Sequence, residues 1–125
     1  MKVISTPNAP AAIGPYSQGI VSRGFVYVSG QLPIDPATGV MKTEIAEAAR
    51  RSLENVKAIV EAAGSDMAHV VKTTCYLADL GDFAAFNAVY AEYFVTGCPA
   101  RACFETSALP KGALCEVEAV AEIPE

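Results

Sequence analysis

Leu114-Cys115-Glu116-Val117-Glu118-Ala119-Val120-Ala121-Glu122-Ile123 alternates with a period of two. Cys115, Val117, Ala119, Ala121 and Ile123 fall on one face of a strand, and Leu114, Glu116, Glu118, Val120 and Glu122 on the other. A strand with one apolar face and one carboxylate-bearing face belongs to a sheet that is covered on one side only. The apolar side suits packing under helices. The other side meets water or another subunit.

The covering helices are readable upstream. From Thr43 to Ala63 the period becomes helical: Ile45, Ala49, Leu53, Val56, Val60 and Ala63 form one stripe, with Glu44, Glu47, Arg50, Arg51, Glu54 and Lys57 elsewhere. Thr43 is the expected N-cap and Gly64 the expected C′ residue. A second helix is expected from Phe83 to Phe94, capped by Asp82, with Phe83, Phe86, Val89, Tyr90 and Tyr93 on its stripe. Strands are expected at Lys2–Ser5, Gly19–Ser22, Phe25–Ser29, Val70–Leu77, Arg101–Thr106 and Leu114–Ile123. Arg23-Gly24 reads as a hairpin turn, and prolines 7, 10 and 15 stiffen the loop before Gly19. The order β-β-β-α-β-α-β-β predicts an α+β fold, a single mixed sheet with two helices packed on one face.

The 125 residues fit a single domain over 1–125. A hydrophobic fraction of 52% and a mean hydropathy of +0.30 point to apolar surface hidden between subunits. The net charge of −5 argues against nucleic acid and anionic membrane surfaces, which need clustered Lys and Arg. No secretory signal or membrane span is visible. Cys75, Cys98, Cys103 and Cys115 lack C-x-x-C spacing, so the expectation is reduced thiols in the cytoplasm.

Few side chains offer chemistry. Arg101 opens a strand and shares a face with Cys103 and Glu105; its planar guanidinium suits a bidentate grip on a carboxylate. Antiparallel pairing of this strand with the last one would place Arg101 beside Glu118 on the open face, a carboxylate receptor next to a general base. The competing reading is a structural salt bridge. Arg101 could also depress the Cys103 pKa, although a buried cysteine more often serves as a small hydrophobe. His69 is the sole histidine and reads as a surface or strand-edge residue. No zinc spacing, dinucleotide loop, phosphate loop or serine-hydrolase elbow occurs. Tyr16 lies in the stiff proline loop, and Ser29-Gly30-Gln31 ends a strand where glycine permits close approach of a ligand.

These residues sit within a series of motifs. Ala11-Ala12-Ile13-Gly14-Pro15-Tyr16-Ser17-Gln18-Gly19, Val28-Ser29-Gly30-Gln31, Ser52-Leu53-Glu54-Asn55-Val56, Val71-Lys72-Thr73-Thr74 and Asp82-Phe83 come first. Pro99-Ala100-Arg101-Ala102-Cys103, Leu109-Pro110 and Glu116-Val117-Glu118-Ala119 follow. In order and across residues 6 to 121, they resemble the Rid (reactive intermediate deaminase, YjgF-like) family. The resemblance implies a chorismate-mutase-like fold, a homotrimer, and a site in each of three intersubunit clefts. It implies hydrolysis of 2-iminobutanoate and 2-iminopropanoate to 2-oxo acids and ammonium without a cofactor. Arg101 matches the carboxylate-binding arginine and Glu118 the glutamate that orients or activates water. Tyr16, Ser29, Gly30, Asn87 and Cys103 match other positions lining the site. One segment departs from the pattern: Val95-Thr96-Gly97-Cys98-Pro99 is short, and Cys98 stands where an aromatic residue is usual. A non-catalytic module holding small carboxylates in the same clefts is the alternative, but such a module needs the arginine and not the base. RNA cleavage, a third reading, conflicts with the acidic composition.

Overall fold

In the computed structural model, which describes residues 1–125, six strands form one mixed sheet. They are β1 (Lys2–Ile4), β2 (Gly19–Ser22), β3 (Phe25–Gln31), β4 (Val70–Leu77), β5 (Ala100–Glu105) and β6 (Cys115–Glu122). Their order across the sheet is β1-β2-β3-β6-β4-β5. Helices α1 (Ile45–Ala62) and α2 (Phe83–Tyr93) connect β3 to β4 and β4 to β5. The fold class and element order agree with the sequence reading. In the β2–β3 hairpin, Arg23 and Gly24 both take positive φ, 52° and 82°, the turn whose twist matches that of the strands.

The connections explain why both helices lie on one face. β3 and β4 point the same way because each is antiparallel to β6, which lies between them. β4 and β5 are parallel neighbours. Each crossover therefore steps in the same direction across the sheet, and a common right hand puts both helices on the same side. Beneath them, Cys115, Val117, Ala119 and Ala121 of β6 join Leu53, Val56, Ile59 and Val60 of α1 and Phe86 and Val89 of α2 in one core. Glu116, Glu118 and Val120, on the other face of β6, are only partly buried.

Two expectations are corrected. Glu44, not Thr43, caps α1, because its carboxylate reaches forward to accept from the Glu47 N–H at 3.0 Å. Asp82 precedes α2 without making a side-chain cap; Asp79 instead accepts from Gly81 N–H in the short turn before the helix. A larger correction concerns the last two strands. β5 does not pair with β6: β4 is inserted between them, with Thr73 opposite Arg101 on one side and Ala119 on the other.

Two buried amides pin the loops that flank the open face. Gln18 accepts from Thr6 N–H at 2.7 Å, and its side-chain nitrogen donates to the carbonyls of Thr6, Ala9 and Pro10. Asn55 of α1 donates to the Leu32 and Ile34 carbonyls at 3.1 and 2.9 Å while accepting from Arg51. Each amide substitutes for secondary structure by pairing backbone groups that no strand or helix satisfies. Asn55→Ala leaves the Ile34 carbonyl without its donor, while the Leu32 carbonyl keeps only the Ile34 N–H, and is expected to cost about 1–3 kcal/mol. Urea unfolding at matched protein concentration measures this, and an unchanged midpoint would refute the pinning role.

Candidate functional site

Residues singled out from the sequence separate into two groups on opposite faces of the sheet. Arg101, Cys103 and Glu105 are in register with Thr73, Cys75 and Leu77, and those three β4 side chains are buried on the helix side. Arg101 therefore points towards α2. Its Nη1 donates to Asn87 Oδ1 at 2.7 Å. The guanidinium carbon lies 4.6 Å from the Tyr90 ring centroid and 5.5 Å from that of Phe83. Tyr90 is held in turn by a 2.7 Å hydrogen bond to Thr73. No carboxylate pairs with Arg101; the ion pairs are Arg50–Glu92 and His69–Asp66. The structural salt bridge weighed from the sequence is thus absent. A half-buried guanidinium held by a neutral amide and two aromatic faces keeps its charge available for an anion.

The second group lies across the sheet. Tyr16, Ser29, Gly30, Lys111, Glu116 and Glu118 line part of a cleft of about 720 Å³ between the proline loop, the loop after β3 and the start of β6. Gly30 makes room for its neighbour: a Cβ there would sit 2.8 Å from the Glu116 carboxyl carbon, so any larger residue would displace that side chain. Ser29 donates its hydroxyl to the Ser17 carbonyl at 2.5 Å and so ties β3 to the proline loop. Glu118 Oε1 accepts from the Tyr76 hydroxyl at 2.6 Å. Tyr16 is half exposed. Neither Arg101, Asn87 nor Cys103 reaches this cleft. The shared open face expected for Arg101 and Glu118 is therefore overturned within one chain, because inserting β4 in parallel to β5 turns Arg101 to the helix side.

The electrostatics follow the environments. Burial pushes the Cys103 thiol up, and the nearby Arg101 charge offsets this only in part, which fits the small-hydrophobe reading and not an activated thiol. Burial first and the Glu118 charge second push Glu116 above the ordinary carboxylate value. His69 sits at the surface against Asp66, 2.7 Å away. No three His, Cys, Asp or Glu side chains are arranged to hold a metal ion. Tyr76 carries no local motif that marks it; only the register of β4 against β6 brings it to Glu118.

The family profile described as Endoribonuclease L-PSP matches residues 6–123. The chain belongs to this family, the Rid or YjgF-like family of the sequence reading. A RutC family protein of Sinorhizobium fredii is 57% identical over 94% of both chains. A Salmonella typhimurium protein named 2-iminobutanoate/2-iminopropanoate deaminase is 51% identical over 96% of both. The crystal structure of Escherichia coli TdcF with bound serine matches with a TM-score of 0.95, at 44% identity and 98% coverage of each chain. Full-length agreement of this kind carries the Rid fold over to every strand and helix described above.

Glu116 offers a test of the cleft's electrostatics. Its raised pKa means that the native protein holds a proton where the unfolded chain has lost it, so its effect on stability is unfavourable above the ordinary value of 4.5 and disappears below it. Glu116→Gln is expected to raise the melting temperature at pH 7, with the difference shrinking towards pH 4. A variant less stable than the parent at pH 7 would contradict the assignment.

Proposed function

We propose that this protein is a 2-iminobutanoate/2-iminopropanoate deaminase that hydrolyses its substrate in clefts between the subunits of a homotrimer. The observation that carries the reading is the unpaired Arg101 guanidinium on Asn87, Tyr90 and Phe83, on the opposite sheet face from the Glu118 cleft. One chain cannot bring the two together. A second copy whose Glu118 cleft meets the edge strand β5 completes the constellation, with Arg101 from one subunit and Tyr16, Ser29, Gly30 and Glu118 from its neighbour. Tyr27 and Phe104, large and exposed at 48% and 45%, give such a contact apolar area to bury. The names of the deaminase relatives support the same reaction.

The chemistry asks little of the protein. Arg101 holds the substrate carboxylate through two parallel N–H donors. Glu118 takes a proton from water as the water oxygen adds to C2, and the C=N π electrons move to nitrogen, which receives that proton back from Glu118. In the resulting carbinolamine the hydroxyl proton passes through Glu118 to nitrogen, the C–N bond breaks with its electron pair leaving on ammonia, and the oxygen lone pair forms the C=O of the 2-oxo acid. Orientation and one activated water suffice for an already electrophilic imine. Cys103 has no part in this scheme and its raised pKa suits a bystander. No helix is long and apolar enough to cross a membrane, and four free thiols fit a reducing cytoplasm. The short segment ending at the exposed Cys98 borders the Arg101 side and would influence the substrate side chain accepted. An endoribonuclease role fits less well: a chain of net charge −5, with two glutamates in its cleft, opposes a polyanion.

Coupling a threonine dehydratase to the purified protein and following 2-oxobutanoate tests the reaction. Arg101→Ala is expected to lose turnover and 2-oxobutanoate binding together, at a cost of about 2–5 kcal/mol. Arg101→Lys rescues little, because an ammonium cannot form the planar fork. Calorimetric binding of 2-oxobutanoate by Arg101→Ala at parental affinity would refute the assignment. Unchanged binding by wild-type protein without any acceleration of imine loss would favour a binding module.

A further inference from the structure

Glu118 lies on a rigid central strand, yet its carboxylate hangs on one side-chain contact. Tyr76 donates its hydroxyl to Glu118 Oε1 at 2.6 Å, the short length of a hydrogen bond to an ionised oxygen. No other group hydrogen-bonds this carboxylate, and it has no ion pair. The contact is selective. Directly opposite Tyr76 on β6 stands Glu116, and Glu118 is the diagonal neighbour, opposite Thr74. Tyr76 bypasses the nearer carboxylate, which is seated against Gly30, and reaches the farther one.

The tyrosine is itself fixed. Phe104 of β5 is its cross-strand partner, and the two rings meet edge to face, with centroids 5.2 Å apart at 77°. The bond to Glu118 first, then burial, pushes the Tyr76 hydroxyl up to about 12. It therefore stays protonated, and a donor, well above neutral pH. A carboxylate has two oxygens, and a base that rotates freely presents its lone pairs to water only part of the time.

We propose that Tyr76 is a positioning residue that occupies Oε1 of Glu118 and leaves Oε2 as the oxygen that takes the proton from water. The inference rests on the reading of Glu118 given above and adds to it which oxygen acts and what aims it. Phe104 and Tyr76 then form a short relay from the edge strand to the base, so the strand that carries Arg101 on one face buttresses Glu118 from the other.

A double-mutant cycle tests this, with the coupled deaminase assay and 2-oxobutanoate calorimetry as readouts. Tyr76→Phe keeps the ring and its packing on Phe104 while removing only the hydroxyl. The expected result is a kcat lowered by about 10-fold with KM and 2-oxobutanoate affinity unchanged, since orientation of the base matters in the transition state and not in binding. In a Glu118→Gln background the same change is expected to have no further effect. An equal loss in both backgrounds, or a parental kcat for Tyr76→Phe alone, overturns the inference while leaving Glu118 as the base. Full turnover by Glu118→Gln, or no turnover by the wild-type protein, overturns the reading of Glu118 and this inference with it.

Discussion

Strand β6 is hydrogen-bonded along both edges, to β3 on one side and β4 on the other, and its alternation therefore cannot slip. A shift of one residue would drive Glu116, Glu118 and Glu122 under the helices and expose Cys115, Val117 and Ala119, which would desolvate three carboxylates. This register places Glu118 at the cleft, sets Tyr76 within reach of it, and seats the Glu116 carboxyl against Gly30. The edge strand β5 inherits its register from β4, so Arg101 is aimed at α2 by the same ladder.

The chemistry is divided by that arrangement. On the helix side a guanidinium is held by Asn87 and two aromatic rings with no counter-charge. On the open side two carboxylates share a cleft, and one of them is aimed by a phenol. Had the two groups met inside a single chain, Arg101 and Glu118 would neutralise each other and neither would be free for substrate. Separation across the sheet keeps both available for the proposed meeting with a neighbouring subunit. On this account oligomerisation is the step that assembles the proposed site.

Much of this was legible in the sequence, and the failures have physical causes. The β6 alternation, the α1 stripe and the Arg23-Gly24 turn depend on local periodicity and turn chemistry, which one sequence carries. Antiparallel pairing of β5 with β6 is only one of the arrangements open to two strands joined by a short connection. A strand–helix–strand unit, however, favours parallel neighbours, and the stretch from β4 through α2 to β5 is such a unit. Weighing it would have placed β4 beside β5 and turned Arg101 to the helix side. The motif residues Gln18 and Asn55 were visible but their work was not, because the carbonyls they pair become unsatisfied only in the folded loops. Tyr76 was beyond reach for a different reason: a diagonal contact depends on a register that is set across a bulge at Val70–Lys72.

The central claim is that Arg101 and Glu118 act from different chains, and subunit mixing tests it most directly. Arg101→Ala and Glu118→Gln proteins, each inactive or slow alone, are denatured together in equal amounts and refolded. In a ring of three, every mixed trimer holds one site with both residues intact, so the account predicts recovery of about a quarter of wild-type turnover. Recovery no greater than the average of the two parents, in samples shown by mass spectrometry to contain mixed trimers, would contradict it.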